Sequence, residues 1–187
     1  MKVFLTHIFV IILLESVLAA SGLQSVTLYP PVNPETKQYD EGKSLFSFKR
    51  GALKEVTKST KDWDLGYGFM AIAEEDWFTL HFGPDNRSVI RDLGEFRWQD
   101  TFDIPVLEPR PPADKSEQRQ SKVITSNVHD AWARSGEYAK VVLNHVYLMH
   151  VKDQCSDFYV MFRVDEFEQH KRCTISWRLL PAPSPTE

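Results

Sequence analysis

The side chains best able to do chemistry in this 187-residue chain are its histidines, which beyond the N-terminal segment stand at His81, His129, His145, His150 and His170. An imidazole can ligate a metal, carry a proton or take a hydrogen-bonded place in a fold. Spacing sorts these roles. Successive side chains on a strand point to opposite faces, so the neighbours His129 and Asp130 do not form a dyad. His145 shares a face with Leu143, Tyr147 and Met149, while His150 points the other way. His145 and Met149 lie about 13 Å apart along a strand, against zinc-ligand bonds of about 2 Å. A ligand site therefore needs strands to converge, for instance His81 with His145 across a planar group. His81, His145, His150 and Met149 are the candidate ligand contacts, and no catalytic set emerges.

The five tryptophans offer a second chemistry. An indole on the outward face of a strand can stack a sugar ring or a flat ligand, whereas most large aromatics of a β domain fill its core. Trp177 reads as core. Trp77 and Trp132 are the binding candidates, Trp77 because its alternation sets it opposite Phe78, Leu80 and Phe82. The nucleophile elbow, zinc-protease helix, phosphate-binding loop, dinucleotide fingerprint and paired-cysteine zinc spacing are all absent.

Cys155 and Cys173 leave a disulfide open. An oxidising compartment favours the bridge, but a hairpin of 158–164 with 173–179 sets the two cysteines roughly 30 Å apart, far beyond the 4.4 to 6.8 Å or so between bridged Cα atoms.

The elements that must position these residues read as strands. Short runs rich in Phe, Tyr, Trp, Val and Ile are broken by Gly, Asp, Asn and Pro at strand-length intervals. The spacing predicts strands over 44–48, 53–57, 64–72, 76–82, 87–93, 122–132, 138–151, 157–164 and 173–179, with odd positions inside in the last. Gly83-Pro84-Asp85-Asn86 supplies turn chemistry for a hairpin into 87–93. Residues near 99–121 form a polar, proline-rich loop. The expected fold is all-β: a single domain over 44–180, a mostly antiparallel sheet or sandwich. An extended lead-in at 21–43 precedes it, where Pro30, Pro31 and Pro34 withhold backbone donors, and a disordered tail follows at 181–187.

Residues 1–20 carry the order of a secretory signal: Met1 and Lys2, an apolar run over 3–14, then small residues for cleavage after Ala19 or Ala20. His7 and Glu15 interrupt the apolar run below the roughly 18 residues of a membrane span, so no transmembrane span is expected in the mature chain. Export to a periplasm or the extracellular space follows. Asn86-Arg87-Ser88 is a glycosylation sequon, relevant only on a eukaryotic route. The net charge of −4 survives cleavage, because the signal holds one Lys and one Glu. Nucleic acid is not the implied partner, since phosphate neutralisation asks for a basic face; a small-molecule or surface ligand is.

Leu45-Phe46-Ser47-Phe48, Asp62-Trp63-Asp64-Leu65 and the late Gly136-Glu137-Tyr138-Ala139-Lys140-Val141, in that order, resemble the HmuY-like exported haem-binding proteins of bacteria. The resemblance implies a non-enzymatic antiparallel β domain that holds haem through two axial His or Met side chains and passes it to an outer-membrane receptor. Two departures accompany it. That family is typically lipid-anchored, and this chain has no cysteine at the cleavage point; and Gly66-Tyr67-Gly68-Phe69-Met70 lacks a histidine after the Trp-Asp motif. The functional expectation is an exported binding protein for haem or another flat ligand. A sugar-binding or surface-interaction module, a structural envelope protein and an exported hydrolase are the alternatives.

Overall fold

The stretch Glu75–Leu80 shows how this sequence makes sheet. Phe78 and Leu80 are fully buried on one face while Trp77 and Thr79 take the other, the period of two that a strand imposes. The computed structural model describes residues 22–57, 62–70, 74–81, 85–95, 97–98, 104–110 and 136–183. The expected export signal, the strand at 122–132 with Trp132, His129, and 184–187 lie outside the described residues.

Ten strands are described: β1 (Gln24–Leu28), β2 (Leu45–Ser47), β3 (Ala52–Leu53), β4 (Leu65–Met70), β5 (Glu75–Leu80), β6 (Val89–Glu95), β7 (Tyr138–Lys140), β8 (His145–Lys152), β9 (Asp157–Glu168) and β10 (Arg172–Leu180). One helical turn, α1 (Lys54–Thr57), follows β3. Two five-stranded sheets result, in the orders β1-β10-β9-β8-β6 and β3-β2-β4-β5-β7. Every pairing is antiparallel. The fold is an all-β sandwich.

One apolar cluster draws on both sheets, with Phe46, Tyr67 and Phe78 from the second, and Phe48 just after β2, meeting Tyr147, Met149, Phe162 and Trp177 from the first. Tyr147 and Phe162 stack at 5.0 Å between ring centroids, and Phe78 meets Phe162 edge-on at 5.1 Å. Geometry of this kind adds about 0.5–1.5 kcal/mol per pair beyond area burial. The Tyr147 hydroxyl stays satisfied in the core by donating to the Lys140 carbonyl at 2.7 Å and accepting from the Val142 amide at 3.0 Å.

Several expectations are corrected. The lead-in at 21–43 is no mere extension: Gln24–Leu28 pairs with β10 because Leu28, fully buried, and Val26 both pack into the core. Of 53–57 only Leu53 is strand, and the rest is α1. Residues 138–151 do not form one strand. They break where Asn144 takes a positive φ of 66°, so that β7 joins the second sheet and β8 the first. The turn after β5 leads into no hairpin, since β7 holds the place beside β5 and β6 pairs with β8. Leu179 is 53% exposed, so the inward alternation of β10 ends at Trp177. Within the proline-rich loop, 104–110 packs on the outer face of the first sheet with Leu107 buried beside Leu148 and Tyr159.

The β9–β10 hairpin is as expected, and it decides the cysteines. Cys173 pairs with Phe167 while Cys155 lies in the turn before Asp157, which puts the two at opposite ends of a strand roughly 33 Å long. Both are free thiols, Cys155 exposed and Cys173 buried. No disulfide joins them.

Candidate functional site

On the outer face of the second sheet, β4 presents Gly66 and Gly68 where its neighbour β5 presents Thr79 and Trp77, residue opposite residue. Glycine within a strand marks a place where something must approach the backbone closely. Here a Cβ at Gly66 would meet the Thr79 Oγ1 at 2.6 Å, Leu45 at 3.2 Å and the Trp63 ring at 3.4 Å, and one at Gly68 would meet Pro31 at 3.3 Å. The two missing side chains let Trp63 and the 29–44 loop come down onto the sheet.

That loop is held by backbone bonds rather than by a core of its own. The Tyr29 amide donates to Lys43, Asp40 to Pro31, Glu55 to Gly42 and Tyr67 to Ser44, and Val32 and Tyr39 form an isolated bridge. Asn33 Oδ1 accepts from the amides of Glu35 and Thr36, a turn device native to Asn.

Between loop and sheet runs a cleft of about 540 Å³, within the range of small-molecule sites. Trp63 and His81 stand at one end, their rings 4.9 Å apart and edge to face. Trp77 and Pro31 stand towards the other, with Thr79, Gly66 and Gly68 between. Tyr39, Glu41 and Lys54 form the polar rim. The Glu41 carboxylate accepts from Lys54 Nζ and, at 3.3 Å, from the Tyr39 hydroxyl. The hydrogen bond from Lys54 holds the Glu41 carboxyl below its ordinary range; desolvation, and then the nearby Glu41 charge, push the Tyr39 phenol up.

The cleft brings together two of the predicted contacts, His81 and Trp77. The others lie elsewhere. His145 belongs to the first sheet, where its Nδ1 is 2.9 Å from the Asp92 carboxylate. Met149 is fully buried in the inter-sheet core. His150 is buried on the outer face of the first sheet, its ring nitrogens each 2.9 Å from an acceptor, the Leu107 carbonyl and the Asp157 carboxylate, and its ring stacked on Tyr159. His81 and His145 thus stand in different sheets, with His145 on the core side and His81 in the outer cleft. Among the described residues no group of three or more His, Cys, Asp or Glu side chains could hold a metal ion.

Sequence reasoning did not single out Trp63, Tyr39, Glu41 or Lys54 as contacts. The alternating glycines Gly66 and Gly68 were the available signal, since they share one strand face. No protein-family model, curated protein or solved structure matches this chain.

Proposed function

We propose that this chain is an exported, non-enzymatic binding protein whose cleft over β4 and β5 takes a sugar ring. The observation that carries this reading is the pairing of two indoles, Trp63 and Trp77, with a glycine floor inside one cleft of about 540 Å³. A sugar ring has apolar C–H faces for aromatic side chains and a girdle of hydroxyls for polar ones. Thr79, Glu41 and Lys54 supply donors and acceptors for that girdle. Among the described residues Glu41 is the one carboxylate in the lining, whereas glycoside hydrolysis uses a pair flanking the bond, so the described lining favours binding over cleavage. Export rests on the signal-like order of residues 1–20.

Haem is the second reading, supported by the place of His81 in the cleft and by the resemblance to HmuY-like proteins. The lining offers no second imidazole or thioether, so two-sided axial ligation does not fit the described residues, and the sugar reading leads.

Calorimetric titration with a panel of neutral oligosaccharides, with haemin as a parallel arm, separates the two. Saturable oligosaccharide binding, weakened about 30-fold by Trp63→Ala, as expected for a contact worth about 2 kcal/mol, supports the sugar reading. A Soret shift on adding haemin that His81→Ala removes, with no oligosaccharide bound, replaces it with haem.

A further inference from the structure

A second polar cluster lies on the other side of the molecule. The outward row of β10 runs Thr174, Ser176, Arg178, because Cys173, Ile175 and Trp177 point into the core. Ser176 pairs in register with Arg163 of β9. Trp98, from the segment after β6, lies over both arginines, its ring centroid 5.2 Å from the Arg178 guanidinium carbon and 5.8 Å from that of Arg163.

The two arginines differ in their partners. Arg163 is committed to Asp165, Nε to Oδ1 at 2.7 Å and Nη2 to Oδ1 at 2.6 Å. Arg178 has no carboxylate and no hydrogen-bond acceptor among the described residues, and its Nε is buried. Two further polar atoms of the same patch are buried without a partner, Trp98 Nε1 and Ser176 Oγ, and Ser176 is only 4% exposed. Stacking on an indole engages the face of a guanidinium and leaves its in-plane N–H edge to hydrogen-bond. Indole and guanidinium only donate. Two of the three groups can therefore only donate, and with one positive charge unmatched among the described residues the buried patch calls for an acceptor that is itself negative.

We infer that Trp98, Ser176 and Arg178 form a binding site for a small oxyanion, a carboxylate or an inorganic anion, on the outer face of the first sheet. The anion accepts from the Arg178 edge, with the Ser176 hydroxyl and the Trp98 indole N–H as further donors in the patch, and the Arg163–Asp165 pair stays intact at its side. This site is separate from the sugar cleft, which belongs to the second sheet.

Equilibrium dialysis of the whole protein against labelled sulfate, phosphate and acetate, at constant ionic strength set with chloride, tests it. The expected result is saturable, one-to-one binding of at least one of the three at millimolar concentration, with a change in tryptophan fluorescence. Arg178→Lys keeps the charge but loses the edge, and Ser176→Ala loses one donor; each is expected to weaken binding at least tenfold. Preference for acetate identifies a carboxylate ligand, and preference for sulfate or phosphate an inorganic one. No binding of any of the three to the wild-type protein above the chloride control overturns the inference, as does binding of equal affinity in both variants.

Discussion

Gly66 stands directly across the β4–β5 ladder from Thr79, and a methyl group placed on it would lie 2.6 Å from the Thr79 Oγ1. The floor of the cleft therefore depends on a hydrogen atom at residue 66. Gly66→Ala is expected to destabilise the fold by about 1–3 kcal/mol, the usual cost of overpacking, and to weaken ligand binding as Thr79 and Trp63 are pushed aside. Thr79→Ala in the same chain removes the first clash and should recover most of the stability. Urea denaturation of the two single variants and the double variant checks this, with a coupling energy above about 0.5 kcal/mol as the expected sign of direct contact.

Asp64, at the strand entry behind Trp63, accepts from the Phe48 amide at 2.8 Å. Burial nevertheless pushes its carboxyl from 3.8 up to about 6, partly offset by hydrogen bonds from Phe48, Ser47 and Lys49. A carboxyl raised in the folded state binds its proton more tightly there. Its stabilising contribution is full below about pH 4 and is lost as pH rises through about 6, to the extent of about 3 kcal/mol. Asp64→Asn keeps an oxygen for the Phe48 amide and removes the titration. Denaturation measured from pH 4 to pH 7 should show the wild type losing stability relative to the variant across that window, and parallel curves would refute the assignment.

The thiols give a chemical check on the strand order. Cys155 is exposed in the β8–β9 turn and Cys173 buried in the core, where desolvation, reinforced by the charges of Asp76 and Asp165, pushes the thiol well above its ordinary range. A thiol reagent should therefore modify Cys155 in the native, unreduced protein and reach Cys173 only on unfolding. Finding no reactive thiol in the denatured, unreduced protein would mean a disulfide and a different pairing of β9 with β10.

The legible parts of this fold are those in which local pattern and long-range pairing agree. β5 and β10 alternate so strongly that their core residues, Phe78, Leu80, Ile175 and Trp177, follow from the period of two. The β9–β10 hairpin was likewise readable. The break at Asn144 was not, because β8 is buried along both faces and 138–151 reads as one apolar run; only an Asn suited to positive φ marked the change of sheet. Gly83-Pro84-Asp85-Asn86 reverses or redirects a chain equally well, so turn chemistry alone did not distinguish a hairpin from a crossing between sheets. In the site, the outward face of Trp77 was visible from its alternation. The rim was not, since Glu41 and Lys54 reach the cleft through the 29–44 loop and α1, whose places are set by backbone bonds to distant residues such as Tyr67.

In the proposed binding mode Trp63 and Trp77 flank a sugar in one cleft. Indole Nε1–H resonances, assigned by single Trp→Phe substitutions and followed during titration with a neutral oligosaccharide, test it most directly. The resonances of Trp63 and Trp77 are expected to shift together along one saturation curve while those of Trp98 and Trp177 hold still. Shifts confined to Trp98 or Trp177, or no shift of any indole with any oligosaccharide of the panel, would contradict it.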